Sequence, residues 1–98
     1  MELYHGASLE VGGKILRGEQ LFPWTPAGDR PSVAHEYGRT KGPREDTHYA
    51  VIVLDKDRGG FHRSITGYWD SNHDVPVPAN AVIRVEFWRK EEYAWWAK

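Results

Sequence analysis

The 98-residue chain contains no cysteine, which removes disulfides, thiolate nucleophiles, thiolate zinc sites and iron-sulfur ligation together. Any catalysis falls to histidine, carboxylates, hydroxyls or the backbone. Neither sign of charge is in excess: 13 basic and 14 acidic side chains leave a formal net charge of -1, so no global attraction draws the chain toward nucleic-acid phosphate or anionic lipid. No apolar run approaches the roughly 20 residues that span a bilayer, and the N-terminus lacks the basic and apolar regions of a signal peptide. The expectation is a cytoplasmic protein with no membrane partner. Internal repeats, heptads and low-complexity tracts are missing, as are the phosphate-binding loop, the Rossmann glycine fingerprint and the Gly-x-Ser-x-Gly elbow. His5, His35, His48, His62 and His73 include no pair at the i, i+4 spacing of a helical zinc motif, so no metal site is expected.

What the chain has in plenty is aromatic volume, five Trp and five Tyr in 98 residues. The length fits one domain, residues 1-98, whose core is too small to be filled by aliphatics alone. Punctuation by Gly and Pro leaves room for short elements only. Glu2 to Tyr4 reads as an opening strand ending at His5-Gly6. The glycines of Val11 to Leu16 argue against an uninterrupted helix, and Leu21 to Thr25 is a second apolar run suited to a strand. Asp29 or Ser32 can cap a helix reaching Tyr37, with Pro31 in its first turn and Gly38 as terminator. Thr40 to Thr47, rich in mixed charge, reads as an exposed loop.

His48 to Leu54 has the continuous β-branched character of a buried central strand. Phe61 to Trp69 suits a strand or an irregular arm over one sheet face. The prolines of Val75 to Pro78 confine that segment to an edge or connection. Ala81 to Trp88 alternates as a half-buried strand, with Glu86 on its solvent side, and residues beyond Arg89 suit a helical turn or an aromatic strand. The fold class is α+β, with five or six strands and one or two short helices.

Three groups of side chains stand out for chemistry. His5 closes a strand beside Gly6, where a backbone or ligand can approach closely. Trp24 and Tyr37 are positioned to face each other across a cleft and stack on a planar heterocycle if the helix folds back over the strand. Asp74 precedes Val75-Pro76 at the mouth of such a cleft, where a carboxylate can accept a hydroxyl hydrogen bond or stabilise a cationic transition state. Each has a plain alternative as a strand-end, packing or turn residue. Trp88 and Trp69 serve as core volume, and Trp95 and Trp96 either pack inward or meet a partner.

The order Leu3-Tyr4-His5-Gly6-Ala7-Ser8, Gly12 to Leu16, Trp24-Thr25-Pro26 and Ala34-His35-Glu36-Tyr37 resembles the opening of the ADP-ribosyltransferase superfamily, and the following strand and Val75 to Val85 continue it. The first blocks are similar to the rifamycin-modifying branch. With Phe61 to Ser64, Gly67 to Trp69 and Val75 to Pro78 added, the chain looks like the NAD-binding lobe of RNA 2'-phosphotransferases. The resemblance implies a compact split β-sheet that takes NAD as substrate, with His5, Gly6, Trp24, Thr25 and Tyr37 at the dinucleotide and His5 and Asp74 in catalysis. His5 would hold the adenosine ribose and nicotinamide amide. Asp74 stands where many members carry a glutamate that orients the nicotinamide ribose. ADP-ribose would pass to an unidentified protein, nucleic acid or small molecule, or to water. The alternative is a weakly active or inactive nucleotide-binding or protein-binding modulator of the same shape.

Overall fold

The computed structural model describes residues 1–92; the readings placed on Trp95 and Trp96 lie outside the described residues. The apolar run becomes β3 (His48–Asp55), which is flanked by β1 (Glu2–Ser8) and β6 (Val82–Arg89), both antiparallel to it. A strand with neighbours on both edges and helices on both faces has no solvated side, so Tyr49 to Leu54 are each at most 1% exposed. This is why the run is continuous rather than alternating. On one face α1 (Leu9–Leu16) adds Ile15 to a core of Leu3, Ala7, Ala50, Ile52 and Leu54. On the other, Ala34 of α2 (Pro31–Gly38) meets Tyr49, Val51 and Val53.

A second sheet is built from two-residue strands in the order β2 (Pro26–Ala27), β5 (Trp69–Asp70), β4 (His62–Arg63). Ala27 and Trp69, paired across it, pack onto the larger core, so this face is the inner one. The two sheets touch where Tyr4 and Gly28 exchange backbone hydrogen bonds of 2.8 and 2.9 Å. The result is a compact α+β arrangement of two small antiparallel sheets and two helices, with no barrel among the described residues. No helix among the described residues is long and apolar enough to cross a membrane.

Four local expectations are corrected. Val11 to Leu16 is helical despite Gly12 and Gly13, because Ser8 caps the helix through its Oγ, which accepts from the Val11 amide at 3.2 Å. Gly12 also lets the helix lie close on the sheet: a Cβ there would stand 2.5 Å from the Ala50 Cβ. Leu21 to Thr25 forms no strand. Pro23 lacks a ladder donor, and Leu21, bridged to Val77, and Thr25 are buried at the two ends of the segment, while Phe22 and Trp24 are exposed. The N-cap of α2 is Arg30, without a side-chain bond, and not Asp29 or Ser32; Pro31 as first helical residue supplies the start. In β6 the strict alternation breaks at a bulge that leaves Ile83 unpaired between Arg84 and Val82, so Val82 and Val85 both reach the same core.

Candidate functional site

β1 and the second sheet diverge just beyond the Tyr4–Gly28 bridge, and His5 is the first residue past it. The helix α2 comes down on β1 at Gly6. A Cβ at Gly6 would stand 2.1 Å from the Ala34 carbonyl oxygen and 2.6 Å from the Gly38 amide nitrogen, so only glycine allows the two backbones this approach. Between them lies a cleft of about 180 Å³, lined by residues of β1, the Pro26–Gly28 stretch and α2, with Lys41 and Tyr68 at its rim.

The Nδ1–H of His5 donates to the Pro26 carbonyl at 2.6 Å. That bond fixes the tautomer and leaves Nε2 as a hydrogen-bond acceptor in the half-buried ring. Burial holds the His5 pKa below its usual 6.5; the Pro26 bond opposes the shift and the Lys41 charge adds to it. The imidazole is therefore neutral at pH 7, an acceptor for a hydroxyl or amide N–H of a ligand and not a charge.

Tyr37 on α2 and Tyr68 on the β4–β5 hairpin both line the cleft and are 52% and 40% exposed, which leaves ring surface for a ligand. The Tyr68 phenol is held above its usual pKa of 10.0, chiefly by the neighbouring Tyr37 phenol. The ring that lines the cleft with Tyr37 from the second sheet's hairpin is Tyr68, and Trp24 does not line it. Lys41 adds one positive charge, and among the described residues no aspartate or glutamate lines the cleft. Among the described residues Lys41 has no carboxylate partner. Among the described residues the lining thus combines apolar walls, the phenols of Tyr4, Tyr37 and Tyr68, the acceptor nitrogen of His5 and the Lys41 ammonium.

The sequence candidates divide in two. His5, Gly6 and Tyr37 come together in the cleft, whereas Trp24, Thr25 and Asp74 do not line it. Trp24 adopts φ +60°, a left-handed turn uncommon for a bulky residue, and its ring lies against His73 with centroids 4.6 Å apart. Thr25 is fully buried; its amide donates to Ser71 Oγ at 2.7 Å and its hydroxyl to the Phe22 carbonyl at 2.6 Å. It holds the segment leading into β2 in place. Asp74 is exposed, in a turn closed by its own amide donating to Asn72 Oδ1 at 2.8 Å.

Sequence reasoning passed over Lys41, read as part of a solvated loop, and Tyr68, read as part of an arm. His35, next to the lining residue Ala34 on α2, is a buried anchor: its Nδ1 shares a hydrogen bond with the Tyr49 hydroxyl, and its ring meets Tyr49 and Trp88 edge-on at 5.6 and 4.8 Å. Glu86 is half-buried rather than solvent-facing, accepting from Arg84 Nε at 2.8 Å and Trp88 Nε1 at 3.0 Å.

No protein-family model, curated protein or solved structure matches this chain.

Proposed function

We propose that the chain is an ADP-ribosyltransferase-like protein that binds NAD in the cleft between β1, Pro26–Gly28 and α2 and transfers its ADP-ribose or hydrolyses it. The observation that carries the reading is that His5-Gly6 and Tyr37, which belong to separate blocks of the resemblance, line one cleft. The donor set suits a nicotinamide nucleotide. Tyrosine rings offer stacking surface worth about 1 kcal/mol each, neutral His5 offers Nε2 to a ribose hydroxyl or the carboxamide N–H, and Lys41 offers a cation to phosphate. About 180 Å³ is below the roughly 300 Å³ at which pockets engulf a drug-sized ligand, so one end of the dinucleotide enters and the remainder crosses the rim.

In the transferring reaction the bond between ribose C1′ and the nicotinamide nitrogen breaks. Its electron pair leaves with the now neutral nicotinamide, and the ribose carries the developing positive charge. An acceptor hydroxyl, amine or water then adds to C1′ and releases a proton. A preorganised carboxylate favours this route. By the resemblance that carboxylate is Asp74, which stands outside the cleft lining.

The lack of any lining carboxylate favours a second reading, a nucleotide-binding module with weak or no turnover. Calorimetric titration with NAD alongside assay of released nicotinamide separates the two. Binding with release supports transfer or hydrolysis, binding without release supports the module, and no binding refutes both.

A further inference from the structure

The register of the second sheet brings one carboxylate to the cleft from a direction the sequence did not suggest. Asp70 pairs with Pro26 on one side and His62 on the other, as Trp69 pairs with Ala27 and Arg63. Ala27 and Trp69 face the core, so the pleat puts Pro26, Asp70 and His62 on the outer face. Two neighbours of Asp70 on that face belong to the cleft: Pro26, whose carbonyl also holds His5, and Tyr68, two residues earlier on the same chain.

Directly paired residues lie about 5 Å apart between Cα atoms, which puts Asp70 one residue outside the lining, beside Pro26. Asp70 is half-buried, and among the described residues its carboxylate has no ion-pair or hydrogen-bond partner. Asp74, by contrast, is fixed in an exposed turn.

Resting on the nucleotide reading above, we propose that Asp70, and not Asp74, is the catalytic carboxylate of this site. It contacts a ribose hydroxyl of the nicotinamide nucleotide at the rim and takes the proton of the adding nucleophile. The bond broken is C1′ to nicotinamide nitrogen, the bond formed is C1′ to the nucleophile's oxygen or nitrogen, and no oxidant or metal is consumed. His62, opposite Asp70, and His73, whose ring lies 6.2 Å from that of His62, extend the same face.

The test uses the full chain, NAD as probe, nicotinamide release as rate and calorimetry as affinity, with Asp70→Asn, Asp70→Glu and Asp74→Asn. The expected result is that Asp70→Asn lowers the rate by about 100-fold or more while its thermal midpoint and NAD affinity stay near those of the parent chain. Asp70→Glu recovers part of the rate, and Asp74→Asn keeps it. Full turnover by Asp70→Asn, or loss of turnover in Asp74→Asn alone, overturns the assignment. NAD binding by the parent chain without any release overturns it too, while leaving the binding reading intact. Failure of the parent chain to bind NAD instead removes the nucleotide reading, and the assignment with it.

Discussion

Replacement of Gly6 by alanine tests the geometry on which the cleft depends. The added methyl would stand 2.1 Å from the Ala34 carbonyl oxygen, 2.6 Å from the Gly38 amide nitrogen and 3.1 Å from the Ala34 carbonyl carbon. All three are backbone atoms of α2, so no side-chain rotation can relieve the overlap. Restoring ordinary contact distances requires α2 to retreat from β1 by about 1 Å. Overpacking of this kind costs about 3 kcal/mol at the upper end of its usual range, which in a domain of this size lowers Tm by about 12 °C or more. Because Tyr37 rides on α2, retreat also widens the cleft and weakens any ligand stacked there.

The matched control is Gly13→Ala. Its methyl would meet only the Arg17 side chain at 3.5 Å, and alanine favours the helix by about 1 kcal/mol. Thermal and urea unfolding should therefore move in opposite directions for these two identical chemical changes. Equal Tm values for Gly6→Ala and the parent chain would refute the close packing of α2 on β1.

Removing the Tyr49 hydroxyl with Tyr49→Phe deprives buried His35 of a hydrogen-bond partner and should cost about 1 to 2 kcal/mol, read from urea midpoints. Lys41→Ala should weaken NAD binding about tenfold through loss of a charge-assisted contact to phosphate. Nicotinamide riboside, which has no phosphate, should lose no affinity, as competition titrations can show. Stability should fall with acid in two stages. Burial lowers the pKa of His5 and of His35 from 6.5, so their unfolded forms bind protons first, and the stability present above pH 6.5 is lost below it. Glu86 follows below its unfolded value of 4.5. Burial raises its pKa, but the Arg84 and Trp88 hydrogen bonds with the charges of Arg84 and His35 together outweigh that, leaving it lowered. Denaturant midpoints between about pH 8 and about pH 4 check the order; constant midpoints down to pH 5 would contradict the buried histidines.

The central strand and the second helix were legible from sequence. β3 reads as a central strand because Tyr49 to Leu54 are all apolar or aromatic, and α2 reads as a helix because Pro31 suits its first turn and Gly38 its end. The misread stretches share one cause, a local signal overridden by a distant partner. Gly12 looks like a helix breaker until Ala50 and Phe87 are seen where its side chain would be. Phe22 and Trp24 look like strand residues, but the segment finds one bridge only, at Leu21.

In the site, His5 and Tyr37 were visible because a strand end beside glycine and an aromatic near a helix end are local features. Tyr68 and Asp70 were not, since their relation to the cleft is set by the pairing of β5 with β2, and two-residue strands carry almost no periodicity. The position of Lys41 depends on how the loop after α2 returns, which mixed charge does not encode.

The most direct test of the account is a calorimetric titration of the purified chain with NAD, run in parallel on His5→Ala. The expected result is saturable one-to-one binding by the parent chain and its loss in the variant, whose thermal midpoint stays within about 2 °C because a half-buried rim histidine contributes little packing. Equal affinity in the two proteins, or no heat of binding in the parent, would contradict a nicotinamide nucleotide site at this cleft.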